Sequence, residues 1–298
     1  VRAQGPNLLV ARAAAPVARM PTPRPTEQPV PDPTSPTSPS GACPRDGATA
    51  GTVHLLAVHG NGGGGRRFAR LPTDLGGVTL HAPTLPGFGG RPLGDVDGVA
   101  GLAAALREEL LALPRPRVVL GHGIGGSVAL ELLCNEPELT DGLVLHAPVG
   151  TRLDTRWFPR LLRPRWVRRA VQLGISSRLL RPLWRRTLVR DVPAPWDAQF
   201  LAAYADAEAF GAMFDWLTAA WFDALPAVDL PAVLLWGSDD RVLGADQRAD
   251  YHRLLPRATE RTVAGWGHFP MLADPDGYAR EVAEVVRDLG GTRPGGAA

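Results

Sequence analysis

Short apolar runs alternate along this chain with stretches of helical period, and no other feature limits its folds more. Residues 53–59 (VHLLAVH) form a continuous apolar run closed by glycines, the pattern of a buried strand. Residues 78–82, 117–121, 143–146, 233–236 and 258–263 read the same way. Among them, residues 95–113 space Leu102, Leu106, Leu110 and Leu113 near the helical period, and 126–134, 245–255 and 275–289 read as further helices. Strands separated by helices imply an α/β fold, a mostly parallel, doubly wound sheet with helices on both faces. Right-handed crossovers then place ligand sites beyond the carboxyl ends of the strands.

Residues 51–149 and 226–289 carry this pattern, and residues 150–225 interrupt it. The interruption has tryptophans, prolines and arginines at helical spacing and reads as a helical cap over the strand ends. Twelve arginines fall between Arg152 and Arg190 against one acid, Asp154, a formal charge of +11. All 32 basic residues of the chain are arginine, yet the net charge is only +2, so no global signal for nucleic acid exists. Residues 1–50 are different again: PTPRPTEQPVPDPTSPTSP, from 21 to 39, is too rich in proline for a packed core, and a disordered tail is expected. Residues 290–298 are expected to form a flexible end. The apolar stretch 7–11 is too short and too soon broken by Arg12 for a secretory segment, and a cytoplasmic location is expected. Cys43 and Cys134 cannot build a disulfide framework.

Five motifs follow the strands in order. His59-Gly60-Asn61-Gly62-Gly63 follows the first, Leu85-Pro86-Gly87-Phe88-Gly89 the second, and Gly121-His122-Gly123-Ile124-Gly125 the third. Gly237-Ser238-Asp239-Asp240 follows the fifth and Gly267-His268-Phe269-Pro270 the sixth. Taken together they resemble the α/β-hydrolase superfamily, with its oxyanion segment, its G-x-S-x-G nucleophile elbow, its acid loop and its histidine loop, across residues 51–289. The resemblance implies Asp240 as the acid, Asp239 being its rival, and His268 as the base. It implies an oxyanion hole made by the backbone N–H groups of Asn61 and Ile124.

The departure is at the elbow's centre, where Gly123 stands in place of a nucleophile. Glycine relieves the backbone strain of that turn, so the fold is expected intact, but the covalent step is lost and ordinary serine-esterase activity should nearly vanish. Ser127 lies one helical turn on, out of position to substitute. His122 and Cys134 read as packing residues, Ser238 as a turn residue, and Trp266 and Phe269 as pocket wall or core. The glycines 62–65 lack the G-K-[ST] of a phosphate loop.

Two functional classes remain open. One is an enzyme acting on a small, mainly apolar acyl or carbonyl compound, in which His268 activates water or abstracts a substrate proton. The other is a catalytically silent pseudo-hydrolase that binds a small ligand or a protein partner. No metal or organic cofactor is implied. The arginine-rich cap reads as a solvated face, as a surface for anionic membrane or an acidic protein, or as an entry for an anionic substrate; nucleic acid is not expected.

Overall fold

The structure, a computed structural model, describes residues 52–149, 153–155, 157–244 and 247–291. Six strands form one sheet: β1 (Val53–Val58), β2 (Val78–His81), β3 (Arg117–His122), β4 (Gly142–His146), β5 (Ala232–Gly237) and β6 (Thr259–Val263). Every pairing between these strands is parallel and the order is β2-β1-β3-β4-β5-β6. The inner strands β3 and β4 are buried along their whole length, which is why they read as unbroken apolar runs. β6 is an edge strand with the sequence TERTV; its Arg261 pairs with Glu281 and Glu284, so charge protects the edge.

The register brings the strand ends together: Val58 pairs with Gly121, His122 with His146, and Gly237 with Val263. The loops that carry Asn61, Gly123, Asp240 and His268 therefore all leave the same edge of the sheet.

Helix α1 (Gly98–Leu111) buries Val99, Leu102, Leu106 and Leu110 in the core, three or four residues apart. It is shorter at its start than the expected 95–113, because Gly98 has φ 78, a value that ordinary helix does not continue through. Helix α2 (Ile124–Asn135) begins two residues before the expected 126, directly after the turn at Gly123.

Between β4 and β5, where a helical insertion is expected over 150–225, lie α3 (Trp157–Leu161), α4 (Arg165–Ser176), α5 (Arg181–Thr187), α6 (Trp196–Ala202), α7 (Met213–Trp216) and α8 (Ala219–Ala224). An aromatic row runs through this layer: Phe200, Tyr204, Phe210 and Phe214 follow one another edge to face, 5.5–5.7 Å apart, and Phe200 continues it onto Phe269, 4.6 Å away. Arg168 is buried in this layer and donates to both carboxylate oxygens of Asp215 at 2.6 Å.

Helices α9 (Arg248–Leu254), α10 (Pro270–Ala273) and α11 (Pro275–Gly291) complete the fold. α11 runs past the expected end at 289. Gly290 packs on Val53 so closely that a Cβ there would come within 2.9 Å of it, and so the first residues of the expected flexible end are helical. Residues 1–50 and 292–298 lie outside the described residues. Among the described residues no helix is long and apolar enough to cross a membrane.

Candidate active site

The site begins with the turn between β3 and α2. Three glycines surround it, each for a different reason. A Cβ on Gly121 would fall 2.5 Å from Gly126 Cα, and one on Gly125 would fall 2.3 Å from the Val58 carbonyl oxygen. Close backbone approach demands glycine at both. Gly123 is the reverse case. Its φ of 56° and ψ of −121° belong to a region that side-chain-bearing residues enter only under strain, yet the nearest atom to its Cβ position is Gly60 Cα at 3.5 Å. Gly123 donates its N–H to the His146 carbonyl at 3.2 Å, and its own carbonyl accepts from Gly126 and Val149.

Ile124 is the first residue of α2, so its N–H has no acceptor within the helix. Neither it nor the Asn61 N–H donates to any group among the described residues. Both residues line one cavity of about 900 Å³ between the strand ends and the insertion, together with Gly123 and His268. The insertion contributes Leu153, Leu188, Met213 and Phe214 to its walls, which are largely apolar there.

His268 and Asp240 meet at this cavity. His268 Nδ1 lies 2.8 Å from Asp240 Oδ2, and both side chains are buried. The other carboxylate oxygen accepts from the N–H groups of Val242 and Leu243 at 2.8 and 2.9 Å. Burial alone would raise the Asp240 pKa, but the bonds from His268 and from the loop outweigh it and hold the carboxyl below its ordinary range. An ionised Asp240 must receive a proton in its hydrogen bond, so Nδ1 carries the hydrogen and Nε2 is left for the cavity. Asp239, the rival acid, is exposed and takes a hydrogen bond from Ser238 instead.

The remaining candidates fall elsewhere. The Ser127 hydroxyl donates to the Val149 carbonyl. Ser238 holds the Gly265 N–H at 2.9 Å and so belongs to the turn. Cys134 is buried, which pushes its thiol pKa up to about 12. Trp266 is in the core, and Phe269 lines the cavity.

A network that starts in the cavity wall, at Arg67, was not legible in the sequence. Arg67, in a short 3-10 turn over Gly64–Phe68, is buried and faces no carboxylate among the described residues. It donates to the carbonyls of Asn61 and Gly62 at 2.8 and 2.9 Å, and its guanidinium lies 4.8 Å from the Phe200 ring centre. Its Nη1 is 3.3 Å from His122 Nδ1, while His122 Nε2 is 3.0 Å from the His268 carbonyl oxygen. Since arginine only donates, His122 accepts at Nδ1 and donates from Nε2. His122 is thus more than packing: it joins the loop carrying Asn61 to the loop carrying His268. His59 is fixed similarly, donating from Nδ1 to the Gly60 carbonyl and accepting the Leu85 N–H at Nε2. Burial lowers the pKa of His59 and of His146 to about 3, and that of His122 also falls well below its ordinary value. All three are neutral in the folded protein.

A parallel sheet with this loop geometry at its carboxyl edge defines an α/β-hydrolase. The chain belongs to the alpha/beta hydrolase family, whose model matches residues 55–281. It is 28% identical over 270 residues to an uncharacterized protein of Mycobacterium tuberculosis, covering 80% of this chain and 76% of that one. It is 24% identical over 260 residues to the pimeloyl-[acyl-carrier protein] methyl ester esterase of Salmonella agona, covering 80% and 96%. Among solved structures, a serine-to-glycine mutant of the N-acyl homoserine lactonase AidH, complexed with N-hexanoyl homoserine lactone, superposes with a TM-score of 0.62. It is 22% identical, over 82% of this chain and 94% of that one.

Proposed function

We propose that this protein hydrolyses a small, mainly apolar acyl compound by direct attack of water, with His268 as general base and no covalent intermediate. The carrying observation is the 2.8 Å pair between His268 and Asp240, facing a cavity beside a residue without a side chain. His268 Nε2 takes a proton from water as the water oxygen bonds to the acyl carbon. The N–H groups of Asn61 and Ile124 hold the resulting oxyanion. Its collapse breaks the bond to the leaving oxygen, which receives the proton back from His268. The esterase and lactonase relatives support an acyl substrate. The same base could instead withdraw a proton from a substrate carbon beside a carbonyl.

A second reading has its own observation. No hydroxyl or thiol among the motif residues bonds to His268, since Ser127 is turned to Val149. A protein that keeps the cavity and lacks the nucleophile can serve as a binding or regulatory pseudo-hydrolase. The test is an acyl-ester and lactone panel run on the natural protein and on His268→Ala, with product formed in 18O-labelled water. Turnover abolished by His268→Ala, with label entering the acid without a burst phase, supports hydrolysis by water. Turnover that survives His268→Ala overturns it. Saturable ligand binding without turnover supports the second reading.

A further inference from the structure

We propose that the outer face of the insertion docks on anionic lipid membrane, and this stands whichever reaction the cavity performs. Nine large apolar side chains are exposed among the described residues, and seven of them fall between Trp157 and Leu183. Their exposure is high: 75% for Trp157, 75% for Trp166 and 89% for Leu179. Chance scatter of surface leucines would not gather them on three consecutive helices and the turn between the last two.

Helix α4 shows how the face is built. Arg168, Gln172 and Ile175 point inward. Trp166, Arg169, Ala170 and Leu173, at i, i+3, i+4 and i+7, point outward. α5 buries none of its residues and adds Leu183 and Arg186. Exposed Arg160, Arg163, Arg169, Arg178 and Arg186 form no ion pair among the described residues, whereas Arg168 and Arg185 are taken by Asp215 and Asp197, and Arg165 also lies in reach of the Asp215 charge. No acid occurs between Asp154 and Asp191, so nothing on this stretch of sequence offsets their charge.

Lipid fits this chemistry better than a protein partner. The apolar residues are interspersed with arginines: Trp166 follows Arg165, Leu179 follows Arg178, and Leu183 lies between Arg181 and Arg185. Tryptophan and leucine can enter the boundary between headgroups and acyl chains one at a time, while the guanidinium groups stay with the phosphates. Trp157 also lines the cavity, so the mouth of the site opens on the same face. An apolar acyl compound dissolved in the bilayer would meet the cavity there.

The test is flotation of the full chain with vesicles of phosphatidylcholine alone and of phosphatidylcholine with phosphatidylglycerol, in low and high salt. Binding to the mixed vesicles should exceed binding to the neutral ones at least tenfold, and should fall in high salt. Arg165→Gln, Arg169→Gln and Arg186→Gln should each weaken it about fivefold. Combined Trp166→Gln, Leu173→Gln and Leu179→Gln should weaken it as strongly, with an unchanged melting temperature because all three are exposed. Equal recovery on both vesicle types overturns the proposal. So does wild-type binding by both sets of variants, which puts the contact on another part of the chain. Apolar variants that still bind anionic vesicles, and bind polyglutamate equally well, show an acidic-protein surface and also overturn it.

Discussion

A Cβ placed on Gly123 would lie 3.5 Å from Gly60 Cα, an ordinary contact, so the turn has room for a side chain that the sequence does not supply. Gly123→Ser should therefore fold. It should lose about 1–3 kcal/mol to backbone strain at this φ, a drop of a few degrees in melting temperature. If the cavity is that of an acyl hydrolase, the variant should acquire burst-phase hydrolysis of short p-nitrophenyl esters, because His268 then has a hydroxyl to activate. Restoring a nucleophile is worth up to about a million-fold where the other groups are in place. A folded Gly123→Ser protein with no ester activity would separate His268 and Asp240 from any acyl chemistry.

The neighbouring glycines should behave in the opposite way. Gly121→Ala would push a methyl group to 2.5 Å from Gly126 Cα, and Gly125→Ala would push one to 2.3 Å from the Val58 carbonyl. Backbone cannot yield as a flexible side chain can. Each variant should lose more than about 4 kcal/mol or fail to fold, while Gly123→Ala loses only the strain of its φ. Urea melts of the three alanine variants rank them directly.

Much of this was legible from sequence, and what was missed has a physical cause. Strands β3 and β4 are buried on both faces, so their apolar runs announce themselves. Edge strand β6, with the sequence TERTV, lies within the stretch 258–263 that reads as the sixth strand. Asp240 and His268 are 28 residues apart, but each follows its strand by a short loop, and parallel register brings the loops to one edge. Arg67 could not be found this way. It is one of 32 arginines, and its burial depends on Phe200 and Tyr204, which come from the insertion more than 130 residues later. His122 reads as packing in sequence because its role depends on a carbonyl 146 residues away. Local pattern carries periodicity and motif; it does not carry contacts made through backbone carbonyls.

Asp240→Asn should cost far more activity than its size suggests. Oδ1 of Asp240 is held by the N–H groups of Val242 and Leu243, which only an oxygen can accept. The asparagine amide must therefore turn its NH2 toward His268 Nδ1. That nitrogen then becomes an acceptor, and the proton moves to Nε2, where a base needs a lone pair. In a comparable triad the same exchange lowers turnover about 10⁴-fold. Activity of Gly123→Ser/Asp240→Asn measured against Gly123→Ser reads the effect; a loss below about tenfold would mean that tautomer control is not the role of Asp240.

Three buried neutral histidines make stability depend on acid. The ordinary pKa of histidine is 6.5, and in the folded protein His59 and His146 lie at about 3, with His122 also well below 6.5. Between those values the unfolded chain binds more protons than the folded one, so stability falls as pH falls from about 6. Each histidine contributes about 1.4 kcal/mol per pH unit across its shifted range, so His59 and His146 together contribute about 3, and His122 adds in the same direction. Against a total of about 5–15 kcal/mol, acid unfolding should be centred below about pH 5. Asp240, held below its ordinary 3.8, works in the same direction only in stronger acid. Urea melts at neutral pH and near pH 5 test this, and equal unfolding free energies at the two would sink it.

The last prediction concerns Arg67, whose guanidinium ties together the two loops of the site. Arg67→Met keeps much of the stem but leaves the carbonyls of Asn61 and Gly62 and the Nδ1 of His122 without a donor. Buried acceptors left unpaired cost about 1–3 kcal/mol each, so a loss of several kcal/mol in stability is expected. A structural role alone would end there. If Arg67 also orients the Asn61 N–H, then Gly123→Ser/Arg67→Met should show kcat lowered about 10²–10³-fold, well below its melting temperature and with KM little changed, as when an oxyanion donor is removed. Arg67→Lys keeps the charge but cannot reach three acceptors with the same planar geometry, so it should recover stability more than kcat. Equal kcat in all three backgrounds would reduce Arg67 to a strut in the cavity wall.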